Sequence, residues 1–488
     1  MKEKNIVFGT SGHRGIIGKD FSAKHVQAMT LAIADFVKQN TRLVLGYDPR
    51  PGNSSELEKG SFTRIVADNL KAKGIEVEIF DHVAPTPLVS WYIKKYNLDG
   101  GIILTASHNP AKFNGLKFNP ANGAPAPTKT TKYLEESANK YFDSFSEIHT
   151  EPEISAMLID KDEEFATDLI KNCLNYGQFP NPDLSDLAVV IDAKHGTVGN
   201  IWEIILTQLG ISKFNILHQE PLEDFGKIEA NPTKYHTLNK LRAIQKELNA
   251  PFAFANDPDG DRHVILDENG SHLTPEETTT IILEYFLNQG IPVQAIGTTV
   301  VSSRLVKSVA EKNNISLIET QVGFKYFADF LGEAAKNDKI AFGVESSGGF
   351  TASFHTLEKC GFLPCLLILL ISQSTKKTLS ELKEEVLEKY GRSVFSETEY
   401  HFPAEKKQSI MGLFNDSDIA GAQKFFSKRI HSIVKVDGLK IVFDDQDWLA
   451  MRLSGTEPLA RIYAESGEGQ GAEELLGLGK SFIETNVG

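Results

Sequence analysis

Phe252-Ala253-Phe254-Ala255-Asn256-Asp257-Pro258-Asp259-Gly260-Asp261-Arg262-His263-Val264-Ile265-Leu266-Asp267 joins two apolar runs through a loop of three aspartates. The length and composition of Phe252–Ala255 and His263–Asp267 predict two strands. Between them Asp257, Asp259 and Asp261 occupy alternate positions, with Pro258 and Gly260 shaping the turn. Carboxylates so spaced can turn their oxygens onto one hard cation, Mg²⁺ or Ca²⁺. A solvated acidic turn is the bland alternative, and it leaves three like charges to repel one another. An EF-hand has its twelfth-position Glu268, but Arg262 stands where its glycine belongs, and strands flank the loop instead of helices. A phosphatase of the haloacid-dehalogenase type also places Asp-x-Asp after a strand. Its loop continues to Thr or Val where this chain has Asp261.

The strand-then-loop pattern recurs on both sides. Upstream, Val26, Met29, Ile33, Phe36 and Val37 share a helical face behind Ser22, a candidate N-cap. Arg42–Tyr47 reads as a strand that turns at Asp48-Pro49-Arg50, and Ser61–Lys73 as a helix stopped by Gly74. Glu76–Phe80 (strand), Leu88–Tyr96 (helix) and Gly101–Thr105 (strand) follow, and Asn119–Pro127 reads as a loop. A second alternation covers Ala188–Ala255, and a third runs from Thr279 to Phe342. Strands alternating with helices predict βαβ units and largely parallel sheets. Each set ends in an apolar strand and a small, polar loop: Thr105–Pro110, Asp257–Arg262 and Gly343–Gly348. Ligands of α/β sheets bind beyond the carboxyl ends of strands, so three such loops predict one shared site.

Past Tyr390 the pattern changes to short mixed segments, Lys440–Phe443, Trp448–Leu453 and Arg461–Ala464, as in a smaller α+β domain. The expected fold is three similar α/β domains with mixed sheets and a smaller C-terminal α+β domain around a central cleft. The expected domains are 1–150, 151–271, 272–390 and 391–488.

The 488 residues carry 51 Lys and Arg against 65 Asp and Glu, a net charge of −14. That balance argues against nucleic acid and anionic membranes as partners. An anionic substrate then requires cations gathered locally. Three cysteines, Cys173, Cys360 and Cys365, make neither a disulfide framework nor a zinc pattern. The start Met-Lys-Glu-Lys-Asn lacks the apolar run of a secretory signal, and Phe362–Ser372, the most apolar run, is too short for a membrane span. It reads as a buried helix, and the expected location is cytoplasmic.

Two further segments carry chemistry. Ser107 follows a strand and precedes His108-Asn109-Pro110, so its hydroxyl can be a nucleophile if a neighbour takes its proton or balances charge. No Gly-x-Ser-x-Gly elbow surrounds it, which argues against an esterase. Arg452-Leu453-Ser454-Gly455-Thr456-Glu457-Pro458, with Arg461 beyond, combines hydroxyls, a glycine and two arginine forks, a set suited to phosphate. Glu345 and Ser347 in a glycine-rich loop can hydrogen-bond sugar hydroxyls.

Phe8-Gly-Thr-Ser-Gly-His-Arg14-Gly15, Thr105–Pro110, Asp257–Arg262, Glu345–Gly348 and Arg452–Pro458 occur in this order over almost the whole chain. The set resembles the α-D-phosphohexomutase family of phosphoglucomutases, phosphomannomutases and phosphoglucosamine mutases. The resemblance implies four domains around a cleft and a phosphoserine at Ser107, with His108 beside it in the catalytic loop. It implies one Mg²⁺ on Asp257, Asp259, Asp261 and a phosphate oxygen on Ser107. Arg14 and Arg262 would steady the transferring phosphate, and Lys117 of Asn114-Gly-Leu-Lys117 would be a candidate acid or base, able to take a proton provided cationic neighbours lower its pKa. Glu345 and Ser347 would hold the sugar, with Ser346 the alternative under a one-residue shift. Lys325 of Val322-Gly-Phe-Lys325 would point into the cleft. Arg452, Ser454, Gly455, Thr456 and Arg461 would hold the phosphate that does not react. Some members end the sugar loop with a His where this chain has Gly349. Ala193-Lys194-His195-Gly196 resembles a second-domain loop and receives no role.

The implied activity is phosphate transfer between two positions of one hexose through a hexose 1,6-bisphosphate, in a monomer or homodimer. The opening motif is most similar to phosphoglucomutases. A phosphomannomutase or dual-specificity enzyme is the alternative, a phosphatase with Asp257 as nucleophile is an alternative of another class, and a non-catalytic scaffold is a third.

Overall fold

The computed structural model describes residues 5–151, 156–180, 183–454, 458–467 and 469–487. Four sheets follow one another along the chain. The first contains β1 (His13–Ile16), β2 (Arg42–Tyr47), β3 (Glu76–Phe80), β4 (Gly100–Leu104), β5 (Phe113–Pro120) and β6 (Met157–Ile159), in the order β1-β5-β4-β2-β3-β6. Strands β2, β3, β4 and β6 are parallel, whereas β5 returns antiparallel to β4 and pairs with β1. The second contains β7 (Ala188–Asp192), β8 (Lys213–Leu217), β9 (Phe252–Asn256), β10 (His263–Leu266) and β11 (His272–Leu273), in the order β11-β10-β9-β7-β8. The third contains β12 (Val293–Thr299), β13 (Ser316–Thr320), β14 (Ile340–Val344) and β15 (Phe350–Ala352), in the order β13-β12-β14-β15.

One pattern underlies all three. A strand inside the sheet leads into a loop, and an antiparallel strand returns beside it: β4 to β5, β9 to β10, β14 to β15. Each polar loop read from the sequence is the turn of such a pair. The buried runs that precede the loops, Gly100–Leu104, Phe252–Asn256 and Ile340–Val344, are apolar or small along most of their length because helices cover such strands on both faces. The fourth sheet is wholly antiparallel, β16 (Val394–His401), β17 (Ile430–Val434), β18 (Leu439–Phe443), β19 (Trp448–Leu453) and β20 (Leu459–Ser466), ordered β16-β20-β19-β18-β17. The fold is therefore three α/β domains with mixed sheets and a smaller α+β domain.

Residues 1–296 and 324–384 form one compact body, and 297–323 with 385–488 form a second. In the second, Val300 and Val301 pack with Trp448, Ala450 and Tyr463, which ties the first of its two segments to its sheet.

The helix Phe62–Ala72 ends as expected, with Gly74 at φ 71° just past it. Phe362–Thr375 is a helix buried throughout the apolar run Phe362–Ser372, and among the described residues no helix is long and apolar enough to cross a membrane. The Asn119–Pro127 loop is shorter than expected: Asn119 and Pro120 finish β5, where Pro120, the last strand residue, has no ladder bond to lose. Ser22 stands at the N-cap with extended backbone, yet its hydroxyl meets His25 Nδ1 at 2.9 Å instead of a helix N–H.

Candidate active site

The β4–β5 turn carries Ser107 with φ 51°, a left-handed conformation that an L-residue keeps only when its surroundings enforce it. Here a buried ion pair does so. Arg50 Nε lies 2.8 Å from Asp48 Oδ2, both side chains fully buried. The guanidinium donates to the carbonyls of Pro110 (2.9 Å), Phe113 (2.8 Å), Asn109 (2.8 Å) and Ser107. Thr105 Oγ1 donates to Asp48 Oδ2 at 2.7 Å and accepts the Ser107 N–H at 2.8 Å. The serine peptide is thus held at both ends, through Thr105 by Asp48 and directly by Arg50, residues legible in the sequence only as a turn. Their signal was a pair of opposite charges directly after an apolar strand.

Ser107 Oγ donates to Asp257 Oδ2 at 2.7 Å and lies 3.3 Å from His108 Nδ1. Burial, Arg262 and Arg14 push the His108 imidazole well below its ordinary range, so it is neutral beside the hydroxyl. Arg14 Nη1 donates to Asn109 Oδ1 at 3.0 Å, and Arg262 Nε lies 3.9 Å from Asp257 Oδ2. Lys117, on β5, points its ammonium at Asp259 Oδ2 (2.6 Å) and Asp261 Oδ2 (3.1 Å). Lys359 reaches the same Asp261 Oδ2 at 2.9 Å, and its neighbour Glu358 is buried beside it. Neither residue was picked from the sequence, because His355-Thr-Leu-Glu-Lys-Cys-Gly361 matches no motif considered there.

The charges decide the protonation states. Burial raises Asp257, and Asp259 and Asp261 add to that rise. Burial also opposes ionisation of Asp261, but Lys117, Lys359 and Arg262 outweigh it and hold the carboxyl far below the usual range. Asp259 is lowered as well: burial and Asp261 oppose ionisation, and Lys117 with Lys359 prevails. The expected lowering of Lys117 is not found. Burial does pull it down, but Asp259, Asp261 and Glu358 pull harder, and the ammonium is held above its ordinary value. The sequence shows the cationic neighbours but not how closely the aspartates approach.

The triad suits a hard divalent cation. Oxygens of Asp257, Asp259 and Asp261 lie within 4.8 Å of one another. Asp259 Oδ1 and Asp261 Oδ1 are buried and, among the described residues, have no hydrogen-bond partner, which leaves acceptor capacity for an ion. Four carboxylates (Asp257, Asp259, Asp261, Glu358) face four cationic side chains (Arg14, Lys117, Arg262, Lys359). A dication and a dianionic phosphoryl group entering together would leave the net charge of this cluster unchanged.

Glu345 is buried at the start of the β14–β15 turn, and Ser346 and Ser347 are half-buried. The turn is tied to the aspartate loop: His263 N–H donates to Gly348 O at 3.0 Å and Arg262 bridges Gly349. Lys325 lies within the short helical turn Phe324–Phe327, half-buried, with its pKa lowered by burial. In the second body Arg452 and Arg461 are direct partners across β19 and β20 and share a face. Arg452 Nε pairs with Asp437 Oδ2 at 2.7 Å, while Arg461 is exposed and 3.7 Å from Glu399. Ser454 N–H donates to Leu459 O at 2.9 Å, and Gly455 and Thr456 lie outside the described residues. The structure thus brings Ser107, His108, Arg14, Lys117, Arg262 and the three aspartates into one cluster, with Arg452, Ser454 and Arg461 gathered separately in the second body.

Models of phosphoglucomutase/phosphomannomutase α/β/α domains I, II and III match residues 5–144, 163–270 and 274–390, and that of the C-terminal domain matches 404–476. A phosphoglucomutase of Komagataeibacter xylinus is 29% identical over 506 residues, covering 95% of this chain and 88% of the relative. A phosphoglucomutase/phosphomannomutase of Thermococcus kodakarensis is 28% identical over 485 residues and 98% of each chain. The crystal structure of the open form of parafusin, a Paramecium phosphoglucomutase, is similar in fold, with a TM-score of 0.76, 24% identity, and coverage of 99% of this chain and 96% of that one. With all four domains present in order, the chain belongs to the phosphoglucomutase/phosphomannomutase family of phosphohexomutases.

Proposed function

We propose that this enzyme interconverts hexose 1-phosphate and hexose 6-phosphate, glucose phosphates first among them, through a phosphorylated Ser107. One observation carries the reading. Ser107 Oγ, held in a left-handed turn, lies 2.7 Å from a carboxylate of the aspartate triad. A phosphoryl group on that oxygen would meet Arg14 and Arg262, which balance charge as it moves to a sugar hydroxyl. Lys117 is the candidate to move the proton of that hydroxyl. His108, neutral, can take a hydrogen bond from the freed serine. A divalent cation, Mg²⁺ for this donor set, would be held by Asp257, Asp259 and Asp261, would stabilise phosphoryl charge, and would take over the carboxylates that now hold the Lys117 ammonium. Glu345 and Ser347 would hold the sugar, with Lys325 nearby in sequence to the same domain. Arg452, Ser454, Gly455, Thr456 and Arg461 would hold the distal phosphate. The bisphosphate formed in the first transfer would turn around and return its other phosphate to Ser107.

The same proposal assigns one loop to each of the domains 1–150, 151–271, 272–390 and 391–488, and places a monomer or homodimer in the cytoplasm. A phosphatase with Asp257 as nucleophile is disfavoured, because that carboxylate is raised by burial and already accepts the Ser107 hydroxyl.

The test compares kcat/KM for glucose 1-phosphate and mannose 1-phosphate, with Mg²⁺ and a trace of hexose 1,6-bisphosphate. A large preference for glucose is expected. Near-equal values would make the enzyme dual-specific. Full turnover by Ser107→Ala would refute the phosphoserine mechanism.

A further inference from the structure

The backbone of the aspartate loop is held from three directions. Pro258 O accepts from Thr197 N–H (2.9 Å) and from Thr197 Oγ1 (2.8 Å). Asp259 O accepts from Thr86 N–H and Gly260 O from Gly361 N–H, each at 2.9 Å. Successive carbonyls are thus taken by segments from three different α/β domains. Thr86 also donates its hydroxyl to Asp259 Oδ2 at 2.8 Å.

The motif Ala193-Lys194-His195-Gly196, which Thr197 directly follows, has no role in the site described above. Its geometry is costly. Lys194 and His195 are consecutive left-handed residues, φ 52° and 53°, a conformation that crowds Cβ against the following carbonyl oxygen. A buried network holds them there. Asp192 Oδ1 accepts from Lys194 N–H (3.0 Å) and from His218 Nδ1 (2.7 Å), Oδ2 is ion-paired with the Lys194 ammonium (2.9 Å), and Lys194 Nζ donates to Thr237 O at 2.9 Å. What the strained turn presents is Gly196, flat against the aspartate loop. A Cβ there would lie 2.4 Å from Pro258 Cα, 2.5 Å from its oxygen and 2.8 Å from its carbonyl carbon, all backbone atoms that cannot swing aside. Gly196 itself is not left-handed, so alanine there adds a contact without adding backbone strain.

We propose that Ala193–Thr197 positions the metal loop: Gly196 and Thr197 fix the Pro258 peptide, and so the angle at which Asp257 and Asp259 present their oxygens to one cation. Both are positioning residues, since neither offers an atom to the ion. The proposal rests on the reading that the triad binds a divalent cation.

Mn²⁺ binding to the full chain, followed by the electron paramagnetic resonance of the free ion, tests it. The wild type should bind one Mn²⁺ that Asp261→Asn loses. Gly196→Ala should raise the Mn²⁺ Kd roughly 10-fold or more, and Thr197→Val several-fold, the scale seen when outer partners of metal ligands are removed. The circular dichroism spectrum and thermal midpoint of Thr197→Val should stay near those of the wild type, which separates positioning from folding. A wild-type Kd in Thr197→Val and in folded Gly196→Ala overturns the proposal. If Gly196→Ala does not fold, Thr197→Val alone decides. If the wild type binds no Mn²⁺ that depends on Asp261, the cation reading fails and takes this proposal with it.

Discussion

Replacing Arg50 by methionine keeps its bulk and removes its charge. The structure sets the consequence. Asp48 stays fully buried with its cation gone, retaining mainly the Thr105 hydroxyl. Breaking a buried pair by removing one partner costs about 3–5 kcal/mol. The carbonyls of Ser107, Asn109, Pro110 and Phe113 lose their shared donor as well, so the upper end of that range is expected. Asp48→Asn with Arg50→Met should cost less than the two single changes together, by about 0.5–3 kcal/mol for groups in one network. The loss should also depend on pH. Burial already raises Asp48, and Arg50 and Thr105 pull it back. Without Arg50 the folded-state carboxyl rises further, so the native state binds the extra proton. Stability then falls as pH climbs from the unfolded carboxylate range, ~3.9, through the raised value. The variant should be closest to wild type in acid.

Activity should fall more steeply than folding. Without Arg50 the Ser107 peptide keeps only the Thr105 hydroxyl at its N–H, its carbonyl is released, and relaxation from φ 51° moves Oγ away from Asp257. A misplacement of about 1 Å costs roughly 10²-fold in rate. The assay is kcat under saturating hexose 1-phosphate, with intact mass to measure phosphate uptake on Ser107, at a temperature where circular dichroism shows the variant folded. Arg50→Lys should recover part of both losses, because an ammonium keeps the charge but not the planar fork. A folded Arg50→Met enzyme with kcat within about twofold of wild type would refute the argument that the ion pair holds the nucleophile.

Other consequences follow from the same geometry. Mg²⁺ at a hundred times its Kd should stabilise the wild type by about 2.7 kcal/mol, and Asp259→Asn should abolish the gain; equal stabilisation of both by Mg²⁺ in thermal melts would place the ion elsewhere. Lys117→Met should lower kcat by about 10²–10⁴-fold with a smaller change in KM, as for loss of a group that moves a proton, and an unchanged kcat would remove Lys117 from that role. His355 is buried, neither ring nitrogen has a hydrogen-bond partner among the described residues, and burial lowers its pKa to about 3. Its neutral form contributes stability fully present above the unfolded value of ~6.5 and lost, by about 1.4 kcal/mol per pH unit, as pH falls from there toward 3. His355→Leu should flatten that acid limb in urea titrations between pH 6.5 and 4, and an unaltered slope would contradict the burial argument.

The sequence disclosed those parts of the site whose chemistry needs adjacent residues. Asp257, Asp259 and Asp261 lie in one turn, so their alternation was visible, as was the strand before each loop, a plain apolar run. The returning strands β5 and β15 were not visible. Phe113–Pro120 mixes Asn, Gly, Lys and Pro with its apolar residues because its side chains line the site as well as the core. Its low apolar content hid the strand that aims Lys117 at Asp259. Arg50 and Lys359 were missed for the opposite reason. Each acts on a loop far away in sequence, Arg50 on Ser107–Phe113 and Lys359 on Asp261, and no spacing rule links such pairs. The sign of the Lys117 shift failed likewise. A sequence lists charges but not separations, and at 2.6 Å a single carboxylate outweighs more distant arginines. What a chain places within one turn can be read locally. What it assembles across three sheets depends on distances set by the fold, and those distances decide which lysine is charged and which aspartate still has an oxygen to offer.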